Sequence, residues 1–231
     1  MRGSCVVTYP FSYNTQNLWG IQAMAKDYAV LPANKVRRSD RQIDDQGWMV
    51  EFLARSPVAS LATVYEGQPF INTNLFAYDA DDHVVYLHTA RVGRTRANVD
   101  ADASVCLSVM EMGRLLPADE ALEFSVEYAG VTIFGKGVIV EGAAAEHGLQ
   151  LLMDKYFPHL RPERDYRPIH LDELVRTSVF RIDIDTWSGK RKSEAADFPG
   201  AFLYGQQSSV IKGTEVPSLI ETLPQPQGST Q

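Results

Sequence analysis

The fold of this chain is decided by Tyr86–Asp100, "YLHTARVGRTRANVD". It opens on the end of a β-branched, apolar run, Val84-Val85-Tyr86-Leu87, and closes on residues with helical character. Between the two lie His88, Thr89, Arg91, Gly93, Arg94, Thr95 and Arg96. A helix that begins here leaves its first N–H groups without partners and carries partial positive charge at its start. A glycine before it lets the backbone turn or a ligand approach closely. A guanidinium fork and a hydroxyl follow at once. These are the elements a phosphate monoester needs. The bland alternative is a solvated first turn with ordinary arginines.

The surrounding chain makes the cluster unusual. The protein has 231 residues, is 45% hydrophobic and carries a formal charge of -7. An acidic chain has no bulk field for nucleic acid or anionic lipid, so neither is expected as a partner and any anion site has to be local. The length suits one substantial core with appendages. The two cysteines, Cys5 and Cys106, lie far apart and lack metal spacing, so neither disulfides nor a metal site are expected, and a reducing cytoplasm is. No apolar run approaches the roughly 18–20 residues of a membrane helix, and "MRGSCVVTYPFSY" is a poor secretory signal.

Working outward, residues 1–38 read as an N-terminal extension without periodicity. Met24 begins "MAKDYAVLPANKVRR", which reads as a natural start and makes residues 1–23 an upstream artefact. Ser39–Arg55 reads as a helix with Ser39 and Gln42 as a capping box, weakened in its middle by Gly47 and stopped by Pro57. The pattern then changes period. "VASLATVY", "FINTNLFAY" and "VVYLH" are strands joined by the short turns "EGQP" and "DADDH". After the junction come "ASVCLSVME" and the long "LEFSVEYAGVTIFGKGVIVEG", where Gly135 and Gly137 mark a kink or bulge. "AAAEHGLQLLMDKYF" is a helix ending before Pro158, and "TSVFRIDIDTWSG" is a last strand. Six antiparallel strands with flanking helices over residues 39–192 predict a small barrel. Residues 193–231 form a tail, disordered in part, ending in "LPQPQGSTQ".

In their order and spacing, "VASLATVYEGQPFINTNLFAY", "VVYLHTARVGRTRANVDADASVCLSV" and "EYAGVTIFGKGVIVEG" resemble the FMN-binding split β-barrel family typified by pyridoxamine 5'-phosphate oxidase. Within it they are most similar to the nitroimidazole-resistance-type flavoproteins. The resemblance spans roughly Arg38 to Lys192 and rests on no single exact motif. It implies a mostly β, six-stranded antiparallel split barrel and a homodimer with FMN between subunits. Asn72, Thr73 and Asn74 would line the flavin, and His88 and Thr89 would meet the ribityl phosphate. Arg94 and Thr95 stand where the family has an Arg-Lys pair; the threonine removes one charge, which Arg91 or Arg96 would restore. Trp187 stands near a family tryptophan beside the partner subunit's flavin, and Lys190 could reach phosphate. His88 also has the chemistry of a catalytic acid/base or a haem ligand. The segment "WSGKRKSEAADF" lacks the arginine–histidine–arginine pattern of the true oxidases, so pyridoxine phosphate is not the expected substrate.

Each residue also has a plainer reading. Asn72 and Asn74 share one face of a strand, and that face could simply be wet. Glu127 and Tyr128 could mark only a bulge, Trp187 could plug the barrel, and the run Lys190–Lys192 could be solvated. His83 reads as surface; His147, His159 and His170 show no partner. No P-loop, Ser-His-Asp or zinc-hydrolase pattern is present. The expected function is an FMN-dependent oxidoreductase of small electron-poor molecules, fed by a reduced nicotinamide. The alternatives are a flavin-storage or sensing module, a haem-binding split barrel, and a deazaflavin enzyme, which would want a more basic phosphate site.

Overall fold

The structure is a computed structural model, and residues 30–205 of it are described. Residues 1–29 and 206–231 lie outside these, and with them the reading of Met24 as the start.

The element order is β1 (Gln42–Ile43), α1 (Gln46–Arg55), β2 (Ala59–Tyr65), β3 (Gln68–Asn74), β4 (Phe76–Asp79), β5 (Val84–Ala90), α2 (Arg94–Ala101), β6 (Ser104–Leu116), β7 (Ser125–Val140), α3 (Gly142–Tyr156), α4 (Leu171–Arg176), β8 (Thr177–Lys192) and β9 (Phe202–Leu203). The nine strands form one antiparallel sheet in the order β3-β2-β6-β7-β8-β5-β4, with β1 added to β8 and β9 to β6. The sequence reading gave six strands. Five match one for one, and the sixth, "FINTNLFAY", breaks at Leu75 into β3 and β4. The two-residue strands β1 and β9 have no period of their own to read.

That break shapes the molecule. β3 and β4 stand at opposite ends of the seven-strand path, yet a single residue joins them. Two residues of extended chain span about 7 Å. The path must therefore curl until its ends almost meet, and no ladder closes the seam. Inside lie Phe52, Leu61, Phe76, Leu87, Leu107, Val131, Ile133 and Phe180, all almost fully buried. β7 alternates buried and half-buried residues from Ala129 to Gly135, as a strand with one face inward must.

The first helix starts later than its sequence suggests. Ser39–Arg41 is a single 3-10 turn with no side-chain cap, and the chain then pairs with β8 as β1 before α1 begins. Asp45 is the cap: its Oδ1 accepts from the Trp48 N–H at 3.1 Å. Gly47 thus falls in the first turn, where its low helix propensity costs little. Outside the sheet, α3 packs over β5 and β8 through Ala145, Tyr86, Val84 and Val179.

Past Lys192 the chain stays on the sheet. Arg114 of β6 holds Glu127 in a two-pronged ion pair at 2.7 and 2.8 Å and also donates to the carbonyls of Glu194, Ala195 and Ala196. The Glu194 N–H donates to Glu127 at 2.8 Å. The hydrogen bond from Arg114, then that from Glu194, holds the Glu127 carboxyl at about 2 against burial, which would raise it. A carboxyl whose folded value lies below its ordinary 4.5 stabilises the fold fully above that value and loses the effect as pH falls through about 2. Denaturant titrations should therefore show wild type more stable than Glu127→Gln near neutral pH. The gap should close between about pH 4.5 and pH 2. A gap constant over that window would mean the ion pair does not titrate with folding.

Candidate functional site

The seam and the corner between β5 and α2 meet. Among the described residues β3 pairs with β2 alone, so its other edge has no strand partner. Asn72 and Asn74 sit opposite the buried Leu61 and Ala59, so both amides point inward. Asn72 Nδ2 donates to Asn74 Oδ1 at 3.3 Å and to Thr95 Oγ1 at 3.2 Å. Asn74 Nδ2 donates to the Asn72 carbonyl at 3.2 Å. Thr73 takes the other face, as period two requires, and its hydroxyl lies 3.1 Å from that of Ser60.

Thr95 and two unforeseen residues dock α2. Thr95 is 4% exposed and Asn98 is fully buried. Asn98 Nδ2 donates to Thr63 Oγ1 at 2.9 Å, while Asn98 Oδ1 has no partner. A polar layer of Asn72, Thr95, Asn98 and Thr63 thus lies beneath the helix. In sequence, Asn98 falls three residues after Thr95, a spacing that shares a helix face, but nothing marked that face as buried. Helical context turns the Thr95 hydroxyl inward to Asn72; only its backbone N–H remains at the helix start.

The three arginines part company. Arg91 Nη1 donates to the Val175 carbonyl at 3.1 Å, and Arg96 Nη1 donates to Ser178 Oγ at 2.9 Å while lying 3.6 Å from Asp100. Both are drawn toward β8 and α4 and do not restore the charge missing at Thr95. Arg94 is exposed; its guanidinium sits 6.0 Å from the Tyr65 ring centroid and, among the described residues, pairs with no carboxylate. Gly93 precedes it at φ 163°, an extended backbone that any residue adopts. A tight turn therefore does not explain this glycine. A Cβ there would meet nothing within 4 Å, so the space before the helix is open.

His88 and Thr89 end β5 on the way to this corner. Thr89 Oγ1 donates to the Ala90 carbonyl at 3.0 Å. His88 is exposed and makes no hydrogen bond or ion pair, yet the protein around its ring lowers its pKa from the ordinary histidine value. That shift favours the neutral form of the imidazole.

Trp187 and Lys190 do not join the corner within one chain. Trp187 stacks on Tyr78 at 5.9 Å and meets His83 edge-on at 4.8 Å. His83, read as surface, also lies 2.8 Å from the Tyr78 hydroxyl. Lys190 lies over the Tyr128 ring, 5.2 Å from its centroid. His147 has the partner the sequence did not show: its Nε2 lies 2.7 Å from Asp79 Oδ2, tying α3 to β4. His170 accepts from the Asp172 N–H and caps α4. Among the described residues no three His, Cys, Asp or Glu side chains gather as a metal site. No described helix is long and apolar enough to cross a membrane.

Similar folds occur in solved structures. An FAD- and heme-binding protein from Mycobacterium smegmatis superposes with a TM-score of 0.61 at 22% identity, over 67% of this chain and 74% of that one. A flavocytochrome from Azotobacter vinelandii gives 0.60 at 22% identity, over 84% and 93%. A candidate 5-nitroimidazole antibiotic resistance protein from Bacteroides thetaiotaomicron gives 0.52 at 18%, over 66% and 90%. At these identities the likeness is one of fold. No curated protein matches the sequence. The family model described as pyridoxamine 5'-phosphate oxidase, however, matches residues 45–191. That span runs from the cap of α1 to the end of β8 and takes in the curled sheet, its seam and the β5–α2 corner. By that match and by the antiparallel architecture that carries it, the chain belongs to the pyridoxamine 5'-phosphate oxidase family.

Proposed function

We propose that this protein binds FMN by its phosphate at the β5–α2 corner and acts as an oxidoreductase on small electron-poor molecules, taking electrons from a reduced nicotinamide. The observation that carries the reading is Arg94: a cation without a carboxylate partner among the described residues, at the start of a helix with no side-chain cap, beside open space. Three free helix N–H groups and one guanidinium suit a terminal dianion. The exposed edge of β3 and its inward amides lie next to it and supply donors and acceptors for a polar ring edge. FMN would bring the two-electron chemistry; the chain's residues hold and orient it. A homodimer completes the reading, because Trp187 stands away from Arg94 within one chain and a second copy would bring it to its flavin. Oxidation of pyridoxine phosphate is not part of the proposal: no histidine follows Trp187 before Phe198, and Arg114 ties down the backbone of residues 194–196.

His88 favours a second reading, haem ligation. An exposed imidazole whose neutral form is favoured, with no hydrogen bond among the described residues, has the chemistry of an iron ligand. Two fold relatives are a heme-binding protein and a flavocytochrome. Absorbance of the full-length protein separates the readings. After incubation with FMN and gel filtration, bands of bound flavin are expected in the protein peak. A Soret band after incubation with haemin, without retained FMN, would favour iron. Protein left colourless by both would overturn the cofactor assignment altogether.

A further inference from the structure

A second cationic site lies on the outer face of the sheet, where β7 and β8 run side by side. Cross-strand partners share a face. The register Met110–Gly130–Lys190 sets an exposed methionine, a bare glycine and a lysine in one row, and the next row reads Met112, Tyr128, Lys192. Arg41, from the turn before β1, reaches the same place. Its Nη1 donates to the Tyr128 hydroxyl at 3.2 Å, and its guanidinium carbon lies 5.9 Å from the ring centroid. Lys190 Nζ lies 5.2 Å from that centroid. Two cations therefore converge on one neutral phenol.

The carboxylates nearby are already engaged. Glu127 binds Arg114, Glu111 binds Arg55 at 2.5 Å, and Asp40 binds Arg38 at 2.6 Å while reaching Arg41 only at 3.8 Å. Glu194 stands 3.8 Å from Lys192. Among the described residues Lys190 has no carboxylate within ion-pairing distance. Burial alone would raise the pKa of the Tyr128 phenol; the hydrogen bond from Arg41 and the nearby Arg41 and Lys190 charges outweigh it and lower the value. Arg41 lines a groove of about 470 Å³, and Tyr128 an adjoining hollow of about 170 Å³; Arg191, Lys192 and Ser193 border both. The site has two cations and a hydroxyl donor, with room beside Arg41 and Tyr128, and in the adjoining row an exposed Met110 opposite the bare Gly130.

We propose that Arg41, Tyr128 and Lys190 clamp the carboxylate of a flat, electron-poor aromatic acid whose ring lies over Gly130 against Met110. As a binding site this stands on its own geometry; as the seat of the electron acceptor it rests on the flavin reading above. The oxygens accept from the guanidinium, the phenol and the ammonium together, and charge-assisted hydrogen bonds of this kind are the strong ones.

The test uses the full-length, flavin-free protein and 4-nitrobenzoate, read by difference absorbance or calorimetry. Saturable binding is expected, weakened about tenfold in Tyr128→Phe and at least that much in Arg41→Gln. Neutral nitrobenzene should bind at least about tenfold more weakly than the acid. Circular dichroism shows whether each variant keeps its strands, and Tyr128→Phe retains the ring that packs there. Saturation with FMN should leave the dissociation constant within about twofold. Absence of saturable binding, or equal binding by both variants, overturns the clamp. Displacement of the acid by FMN, one for one, overturns its assignment to the acceptor, because the pocket is then the cofactor's. Failure to bind FMN, with the acid still held, sinks the flavin reading and leaves the clamp standing.

Discussion

Arg94→Ala is expected to weaken FMN binding about 10- to 100-fold without disturbing the fold. A charge-assisted hydrogen bond to a phosphate is worth about 1.5–3 kcal/mol, and Arg94 makes no hydrogen bond or ion pair among the described residues, unlike Arg91 and Arg96. It is exposed and lies 6.0 Å from the Tyr65 ring centroid, so its removal should shift stability by no more than about 0.5 kcal/mol. The neighbouring arginines give the control. Arg91 and Arg96 are tied to Val175 and Ser178; their alanine variants should lose stability rather than cofactor. Flavin fluorescence titrations of the three variants give the comparison. Equal losses from all three would point to a diffuse basic field rather than a site. An unchanged Arg94→Ala would place the phosphate elsewhere.

Gly135→Ala should be among the most damaging single changes in the chain. β7 and β8 slip register between Phe134 and Gly135, a bulge that brings the two backbones together. A Cβ at Gly135 would fall 2.1 Å from the Asp183 carbonyl oxygen and 3.1 Å from its carbon. Both are main-chain atoms, so no rotamer change relieves the clash. The central strands of the sheet would have to separate, with loss of ladder hydrogen bonds. A cost of at least about 3 kcal/mol is expected, or a fall in Tm of at least about 6 °C for a domain of this size. Gly93→Ala is the contrast: extended backbone with open space around it should leave Tm unchanged. A thermal melt of Gly135→Ala that matches wild type would mean that the bulge is not held as described.

Much of the architecture could be read from periodicity alone. β2, β5, β6, β7 and β8 follow from alternation and β-branched content, α3 from its apolar spacing and the proline after it, and the β7 bulge from two glycines inside a strand. The misreadings were local. A plausible capping box at Ser39 lost to the chain's pairing with β8, a partner about 150 residues away in sequence. Asp45, equally able to cap, won because the helix could begin only after that pairing ended. The break at Leu75 was invisible because no glycine or proline marks it; "FINTNLFAY" carries no turn signal between Asn74 and Phe76.

The candidate site divides along the same line. That a cationic, glycine-led helix start follows β5 was determined by the sequence, since strand, junction and helix are contiguous and their signals depend on nearest neighbours. Only the tertiary structure decided which arginine is free, that Thr95 spends its hydroxyl on Asn72, that Asn98 lies buried under the helix, and that Arg41 and Lys190 meet at Tyr128. These outcomes depend on which side of a helix or strand faces which neighbour across the sheet. That choice is made by burial and by competition for partners over long sequence separation. A chain read residue by residue offers each side chain; packing settles which of its possible partners it keeps.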